Sequence, residues 1–229
     1  MPAGRRQLRI LVAAPGQLRA YLTADLLRRA AETARLLPTV TELLSMGTMT
    51  GAPRAACGAL NIHPPGDVLA APVDPVTGIP LFDVGIRAAD MAMSSDGTDL
   101  ARLWIDVGKD VREDDLGAEP LAVRLALMRH GYAEAVPRPG EPGSADETAM
   151  LARWRSLVAG WARSPSGAMS PKYDEAITQA FSNDLDTATA LRALTTLSDD
   201  QEVPDGVKFE TFAAADRLLG LDLARDIGK

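Results

Sequence analysis

The chain has 229 residues, of which 46% are hydrophobic and 24% charged, and this composition is ordinary for a globular protein of one large or two small domains. Residues 1–36 carry seven arginines and two acidic residues, whereas residues 111–229 carry 13 basic and 20 acidic side chains. Because the second region is acidic and would repel phosphate groups, nucleic acid is not expected as its partner. The single cysteine excludes a disulfide framework, and no apolar run reaches the about 20 residues of a membrane-spanning helix, so a cytoplasmic protein without membrane contact is expected.

The first predicted element is a strand at residues 8–13, a short apolar run suited to the centre of a parallel sheet. Pro15 and Gly16 break this run. From Leu18 onward, apolar residues recur with helical spacing, and the predicted helix stops at Pro38. This stretch therefore indicates the opening βα unit of a nucleotide-binding sheet.

Further strand patterns follow in the first half of the chain. Strands are predicted at 38–45, 81–86 and 103–108, and a short helix at 52–60. Residues 68–80 contain three prolines and are expected to run irregularly over the surface. These elements predict an α/β domain with a Rossmann-like parallel sheet over residues 1–115.

The second half has a helical pattern, so an α-helical bundle is predicted over residues 116–229. Pro120 should occupy the first turn of one helix, and Asp186 should be the N-cap of another. The predicted helices are those near 118–132, 145–163, 171–182, 187–198 and 208–220.

Four stretches, in order along the chain, carry a resemblance to a known family. They are RAYLTADLLRRA (19–30), GALNIHPPGD (58–67), GAEPLAVRLALMRHGY (117–132), and LARWRSLVAG with AFSNDLDTATALRAL (151–160 and 180–194). They resemble the class I cysteinyl-tRNA synthetase family, and more closely its mycothiol cysteine ligase branch. In that family the first stretch follows the HxGH motif, the third follows the KMSKS loop, and the last belongs to the helical stem-contact domain.

The motifs that carry the family's chemistry have no counterpart here. Ala13 or Ala14 stands where the resemblance places a zinc-binding cysteine, and only Gly16 and Gln17 remain near the histidine motif. The segment at the position of the KMSKS loop does not match it and has Lys109 as its one lysine. The resemblance therefore implies a truncated and degenerate member, with a reduced second half of the sheet.

The residues at the first βα turn are candidates for phosphate contacts. A helix N-terminus attracts anions, and Gly16 would let a phosphate approach the backbone closely. Gln17, Arg19 and Lys109 could add polar or cationic groups. The alternative is a plain βα turn closed by glycine, and it carries more weight. No catalytic residue is identified.

No metal site is expected. Cys57, His63 and His130 are the only soft ligands, and their wide spacing favours a buried thiol, a turn residue and a helix-end residue. A set of aspartates could bind Mg²⁺ but is more typical of a solvated loop. The set comprises Asp83, Asp90, Asp96, Asp99 and Asp106.

Three functional hypotheses follow, and the sequence leaves open whether the chain is an enzyme. The first is a degenerate paralogue without adenylating activity and without a cofactor, which binds a nucleotide, an amino acid or a partner protein. The second is a minimal ATP-dependent ligase or transferase that passes an aminoacyl group, such as cysteine, to a small amine or to tRNA. The third is a tRNA-binding or regulatory module that uses the helical bundle, and the acidic balance of that half argues against it. A reduced sheet would leave apolar surface bare, so a homo-oligomer or a heteromer is also expected.

Overall fold

The computed structural model describes residues 6–14, 16–44, 54–70, 81–89, 100–108, 116–136 and 146–229. The chain divides into two compact units. The first consists of Met1–Leu116 with Tyr132–Ala135, and the second of Gly117–Gly131 with Val136–Lys229.

The first unit is built on a five-stranded sheet in the order β3-β2-β1-β4-β5. Its strands are β1 (Gln7–Val12), β2 (Leu37–Leu44), β3 (Asp67–Ala70), β4 (Phe82–Ala88) and β5 (Ala101–Val107). Every pair of neighbouring strands is parallel. The described residues of this unit also form helices α1 (Leu18–Thr33) and α2 (Arg54–Ala59). The Rossmann-like α/β fold predicted from the sequence is therefore confirmed.

The opening apolar run forms β1, which is the central strand of the sheet. Ile10, Leu11 and Val12 are each 0% exposed, because strands lie on both sides and helix α1 packs against the sheet. Ile10 pairs with Val40 of β2 on one side and with Val84 of β4 on the other. Branched apolar side chains thus fill both neighbouring positions, as expected in a buried parallel sheet.

Two sequence expectations about this unit need correction. Strand β3 lies partly in the stretch predicted to be irregular, since Asp67–Ala70 pairs with β2. Helix α1 ends at Thr33, because Arg35 takes a left-handed φ of 62° and the Leu36 N–H bonds back to the Ala31 carbonyl.

The second unit consists of α-helices, as predicted. They are α3 (Pro120–Arg129), α4 (Glu147–Trp161), α5 (Pro171–Ser182), α6 (Thr187–Asp199) and α7 (Asp205–Leu219). Phe212 of α7 packs edge-on against Trp154 and Trp161 of α4, with ring centroids 5.8 and 5.2 Å apart. Pro120 begins α3 and Asp186 is the N-cap of α6, so the predicted starts of both helices are confirmed.

Two buried arginines hold the segment that follows α7. Arg124 is 0% exposed and donates to the carbonyl of Leu219 at 2.6 Å. Arg155 is 4% exposed and donates to the carbonyls of Leu221 and Asp222. These contacts satisfy carbonyls at and beyond the helix end, which the helix itself leaves unpaired. In the described part of the chain, no helix is both long enough and apolar enough to cross a bilayer.

Candidate functional site

The strand order places a candidate ligand site at the carboxyl end of β1. Strands β2 and β3 lie on one side of β1 and strands β4 and β5 on the other, so the order reverses between β1 and β4. In open parallel sheets, ligands bind outside the carboxyl ends of the strands at such a point. The Ala13 N–H donates to the carbonyl of Ile86 at 2.8 Å, which continues the β1–β4 pairing up to the turn.

Gly16 gives the turn between β1 and α1 its conformation. Its φ is 82°, a left-handed value that glycine adopts without steric cost. A Cβ placed there would meet no atom within 4 Å, so the space outside the turn is open. The amide of Gly16, however, is not directed to that space, because it donates to the hydroxyl of Tyr21 at 3.2 Å.

Tyr21 links this turn to a buried carboxylate. Its hydroxyl donates to Oε1 of Glu42 on β2, and the two residues are 1% and 2% exposed. Burial, together with the hydrogen bond to Glu42, raises the pKa of Tyr21 well above its ordinary value. The hydroxyl therefore keeps its proton and can both donate to Glu42 and accept from Gly16.

The candidate phosphate contacts lie in different surroundings. Gly16 is exposed, Gln17 is half-buried, and Arg19 is 1% exposed in the first turn of α1. Gln17 is the N-cap of α1, and its side chain makes no capping hydrogen bond. The chain path brings these three residues together at the carboxyl end of β1. Lys109 lies outside the described residues.

A second buried carboxylate lies further along α1. The Asp25 side chain is 0% exposed and accepts from Arg28 and Arg29, each at 2.8 Å. It also accepts the backbone N–H of His63 at 3.2 Å, while Arg29 donates to the Asn61 carbonyl at 2.9 Å. Asp25 therefore anchors the turn after α2 to α1. This arrangement is structural, since both arginines and the carboxylate are used within the protein.

The described aspartates of the acidic set lie on strands rather than in a loop. Asp83 accepts the N–H of Arg9 at 2.9 Å and also bonds the Arg9 guanidinium, and these contacts hold the pKa of Asp83 below its ordinary value. Asp106 accepts from Arg87, whose guanidinium lies 5.3 Å from the centre of the Trp104 ring. These carboxylates are therefore paired with arginine. Asp90, Asp96 and Asp99 lie outside the described residues.

The candidate soft ligands, Cys57, His63 and His130, are divided between the two units. Cys57 is 0% exposed in α2, as predicted for a small buried side chain. His63 is exposed in the turn after α2, and His130 ends α3 in the other unit. No group of three metal-ligating side chains occurs among the residues that the structure describes.

Tyr21, Asp25 and Glu42 were not identified from the sequence as site residues. Glu42 offered a signal, because it stands two positions after the buried Val40 in a strand with apolar alternation. A carboxylate on the same face of a strand as a buried side chain is itself buried and needs a hydrogen-bond or charge partner. The partner could not be named, because Tyr21 is 21 positions away and no motif connects the two.

Comparison with known proteins relates the chain to a cysteine ligase. No protein-family model matches the chain. The chain is 31% identical over 176 residues to L-cysteine:1D-myo-inositol 2-amino-2-deoxy-alpha-D-glucopyranoside ligase of Acidothermus cellulolyticus. The alignment covers 72% of this chain and 40% of that ligase, so the chain spans less than half the length of this relative. The similarity supports a ligase-like ancestry and suggests a family like that of the cysteinyl-tRNA synthetases.

Proposed function

We propose that the chain is a degenerate relative of the cysteine-activating ligases that binds a small ligand without forming an adenylate. The observation that carries the proposal is the composition and hydrogen bonding of the β1–α1 turn. Its sequence, AAPGQLR over residues 13–19, contains neither histidine nor lysine, and the amide of Gly16 is used by Tyr21. Adenylation needs donors and cations aimed at the charge that develops on the phosphate. This turn is poorly equipped for that task.

The same turn is nevertheless the best place for a ligand. It lies at the reversal of strand order, and the space beyond Gly16 is open. The side-chain amide of Gln17 is half-buried, and Arg19 follows two positions later in the first turn of α1. An amino acid or a nucleoside is small enough to contact these groups together. The contacts of Gly16, Gln17 and Arg19 with a ligand are part of the proposal.

Isothermal titration calorimetry with cysteine, ATP and a non-hydrolysable cysteinyl-adenylate analogue tests the proposal. Saturable binding of at least one compound is expected. Gly16→Asn should abolish it, because asparagine tolerates a left-handed φ and its side chain would fill the open space. Gly117→Asn is the matched control, since Gly117 also has a positive φ and open surroundings but lies in the other unit. Absence of binding by all three compounds, or equal binding by the Gly16→Asn variant, would refute the proposal.

The second candidate function is a minimal ATP-dependent ligase that joins cysteine to a small amine. The similarity to the cysteine ligase favours it. It would require Arg19 and Lys109 to neutralise the phosphates of ATP in place of the missing motifs. Incubation with ATP, cysteine and a glucosaminyl-inositol acceptor, followed by mass spectrometry, tests it directly. A product of cysteine and the amine would establish this function and refute the first proposal.

Association with a second copy or with another protein also belongs to the proposal. Its support is the exposed apolar side chains on the two edge strands, Val68 of β3 at 56% and Leu103 of β5 at 59%. Exposed edges of a sheet are surfaces on which other chains pair. A dimer is expected by light scattering at micromolar concentration. A monomer that recovers no stoichiometric partner from a native extract would contradict this part of the proposal.

A further inference from the structure

Strand β5 forms one edge of the sheet and carries a charge pattern that is complementary to its own reverse. A basic residue, Arg102, stands near its start and an acidic one, Asp106, near its end. The side chains of these two residues are 63% and 50% exposed, and Leu103 between them is 59% exposed. An edge strand is a surface on which another strand can pair. These exposures leave the side chains of β5 accessible to a second chain.

The backbone of β5 limits how such a pairing can run. The Val107 carbonyl accepts a hydrogen bond from the residue after β4, so this residue directs its backbone groups toward β4. Residues at alternate positions, which include Arg102 and Asp106, therefore direct theirs to the outer side. Further along, Gly108 donates its N–H to the Tyr132 carbonyl at 2.8 Å. A second strand is thus confined to the part of β5 that precedes Gly108.

We propose that two copies of the chain associate by antiparallel pairing of their β5 strands about a two-fold axis at Trp104. In this register Arg102 of each copy lies opposite Asp106 of the other, so the ion pair forms twice. Leu103 of each copy lies opposite Ile105 of the other on the second face. A shift by two residues removes both ion pairs. The inference rests on the association that forms part of the proposed function, and it adds the partner and the surface.

The ring of Trp104 is turned away from the second copy, although this residue lies at the axis. It lies across Gly85 of β4, where an added Cβ would meet the ring at 2.5 Å. The guanidinium of Arg87 packs over the ring, 5.3 Å from its centre. Gly85 therefore gives the largest side chain of β5 a place against its own sheet.

The two charged side chains retain capacity for a partner across the axis. Asp106 accepts from Arg87, but a carboxylate has two oxygens and can accept from a second guanidinium. Arg102 lies 4.0 Å from the carboxylate of Asp83, and a guanidinium has five N–H donors. An ion pair between the copies can therefore form without breaking the contacts within each chain.

Charge reversal at the two positions tests this register. Arg102→Asp places aspartates opposite each other at both ends of the paired segment, and Asp106→Arg places arginines there. Each variant alone should have a dimer dissociation constant on the order of tenfold higher than that of the parent chain. An equimolar mixture of the two variants should form a heterodimer with the parental dissociation constant, because every aspartate then faces an arginine. Sedimentation velocity measures the affinities, and native mass spectrometry identifies the heterodimer.

Two further variants guard against effects on folding. Arg153→Asp makes the same charge change on α4, where Arg153 is 52% exposed and pairs with Asp199, and it should dimerise like the parent chain. Leu103→Lys removes the apolar contact with Ile105 of the second copy, and its exposed position should leave the fold intact. It should also weaken the dimer, and it decides the test if a charge-reversed variant does not fold. Circular dichroism and the thermal midpoint report the fold of each variant.

The possible results separate this inference from the proposed function. Weak dimers of the single variants, with recovery in the mixture, would support it. A parent dimer that both reversals leave intact, a mixture without heterodimer, or an equal loss in Arg153→Asp would refute the β5 register but leave association itself standing. A monomeric parent chain would refute both the register and the association. The calorimetric test of ligand binding is independent of all these results.

Discussion

The carboxylate of Asp25 accepts the backbone N–H of His63 at 3.2 Å, although the two residues are 38 positions apart in sequence. This bond joins helix α1 to the turn after α2. Both segments belong to stretches that resemble the cysteinyl-tRNA synthetase family, RAYLTADLLRRA and GALNIHPPGD. The two stretches are therefore parts of one structural unit, and their joint presence supports a shared scaffold more directly than a shared reaction.

Replacement of Asp25 by asparagine should destabilise the chain by about 3 kcal/mol, because it leaves Arg28 and Arg29 without their buried counter-charge. These guanidinium groups are only 14% and 13% exposed. The free energy of unfolding in urea measures the effect. Glu32→Gln is the control on the same helix, since Glu32 is 51% exposed and its pair with Arg28 should contribute about 0.5 kcal/mol. Equal losses in the two variants would contradict the structural role of Asp25.

Gly16→Ala should destabilise the chain by about 1–2 kcal/mol, because alanine is strained at the left-handed φ of 82°. Gly58→Ala in α2 is a matched comparison, since neither position has an atom within 4 Å of the added Cβ. That variant should gain about 0.5 kcal/mol from the better helix propensity of alanine. Opposite signs in urea unfolding are expected. A neutral Gly16→Ala variant would show that the turn adopts another conformation.

The sequence was sufficient for most of the fold but only partly for the site. Alternating or continuous apolar runs identified β1, β2, β4 and β5, because burial on both faces demands such residues. Strand β3 escaped detection because four residues between proline-rich segments give too short a pattern. The position of the β1–α1 turn followed from Pro15 and Gly16. The hydrogen bond of the Gly16 amide could not be predicted from the sequence, because it depends on Tyr21 and Glu42, which meet only in the folded chain.

The N-cap of α6 should make the stability of the helical unit depend on pH in the acid range. Hydrogen bonds from the side chain and backbone of Thr189 hold the pKa of Asp186 below its ordinary value of 3.8. The stabilisation is therefore present above pH 3.8 and is lost as the pH falls through the lower folded-state pKa. Asp186→Asn keeps a capping side chain but cannot titrate.

This variant should be slightly less stable than the parent chain at pH 7, by about 0.5 kcal/mol, because it lacks the favourable charge at the helix N-terminus. Thermal melts at successive pH values should show the gap closing on acidification. A gap of constant size from neutral to acid pH would contradict the assignment.

Arg155→Met should destabilise the chain by about 2–3 kcal/mol, because the side chain is 4% exposed and donates to two carbonyls and to Glu119. Arg153→Met is the control on the same helix. Arg153 is 52% exposed and pairs only at the surface with Asp199, so its loss should cost about 0.5 kcal/mol. Urea unfolding followed by tryptophan fluorescence compares the two. A larger loss for Arg153→Met would contradict the role given to Arg155 in holding the segment after α7.

Amino-acid-dependent exchange between ATP and radiolabelled pyrophosphate is the measurement that tests the central claim most directly. The reaction reports formation of an aminoacyl-adenylate, which the β1–α1 turn is proposed not to support. The parent chain should show no exchange above that of a Lys109→Ala variant with any of the standard amino acids, cysteine included. Cysteine-dependent exchange by the parent chain that disappears in Lys109→Ala would contradict the account and identify the chain as an adenylating enzyme.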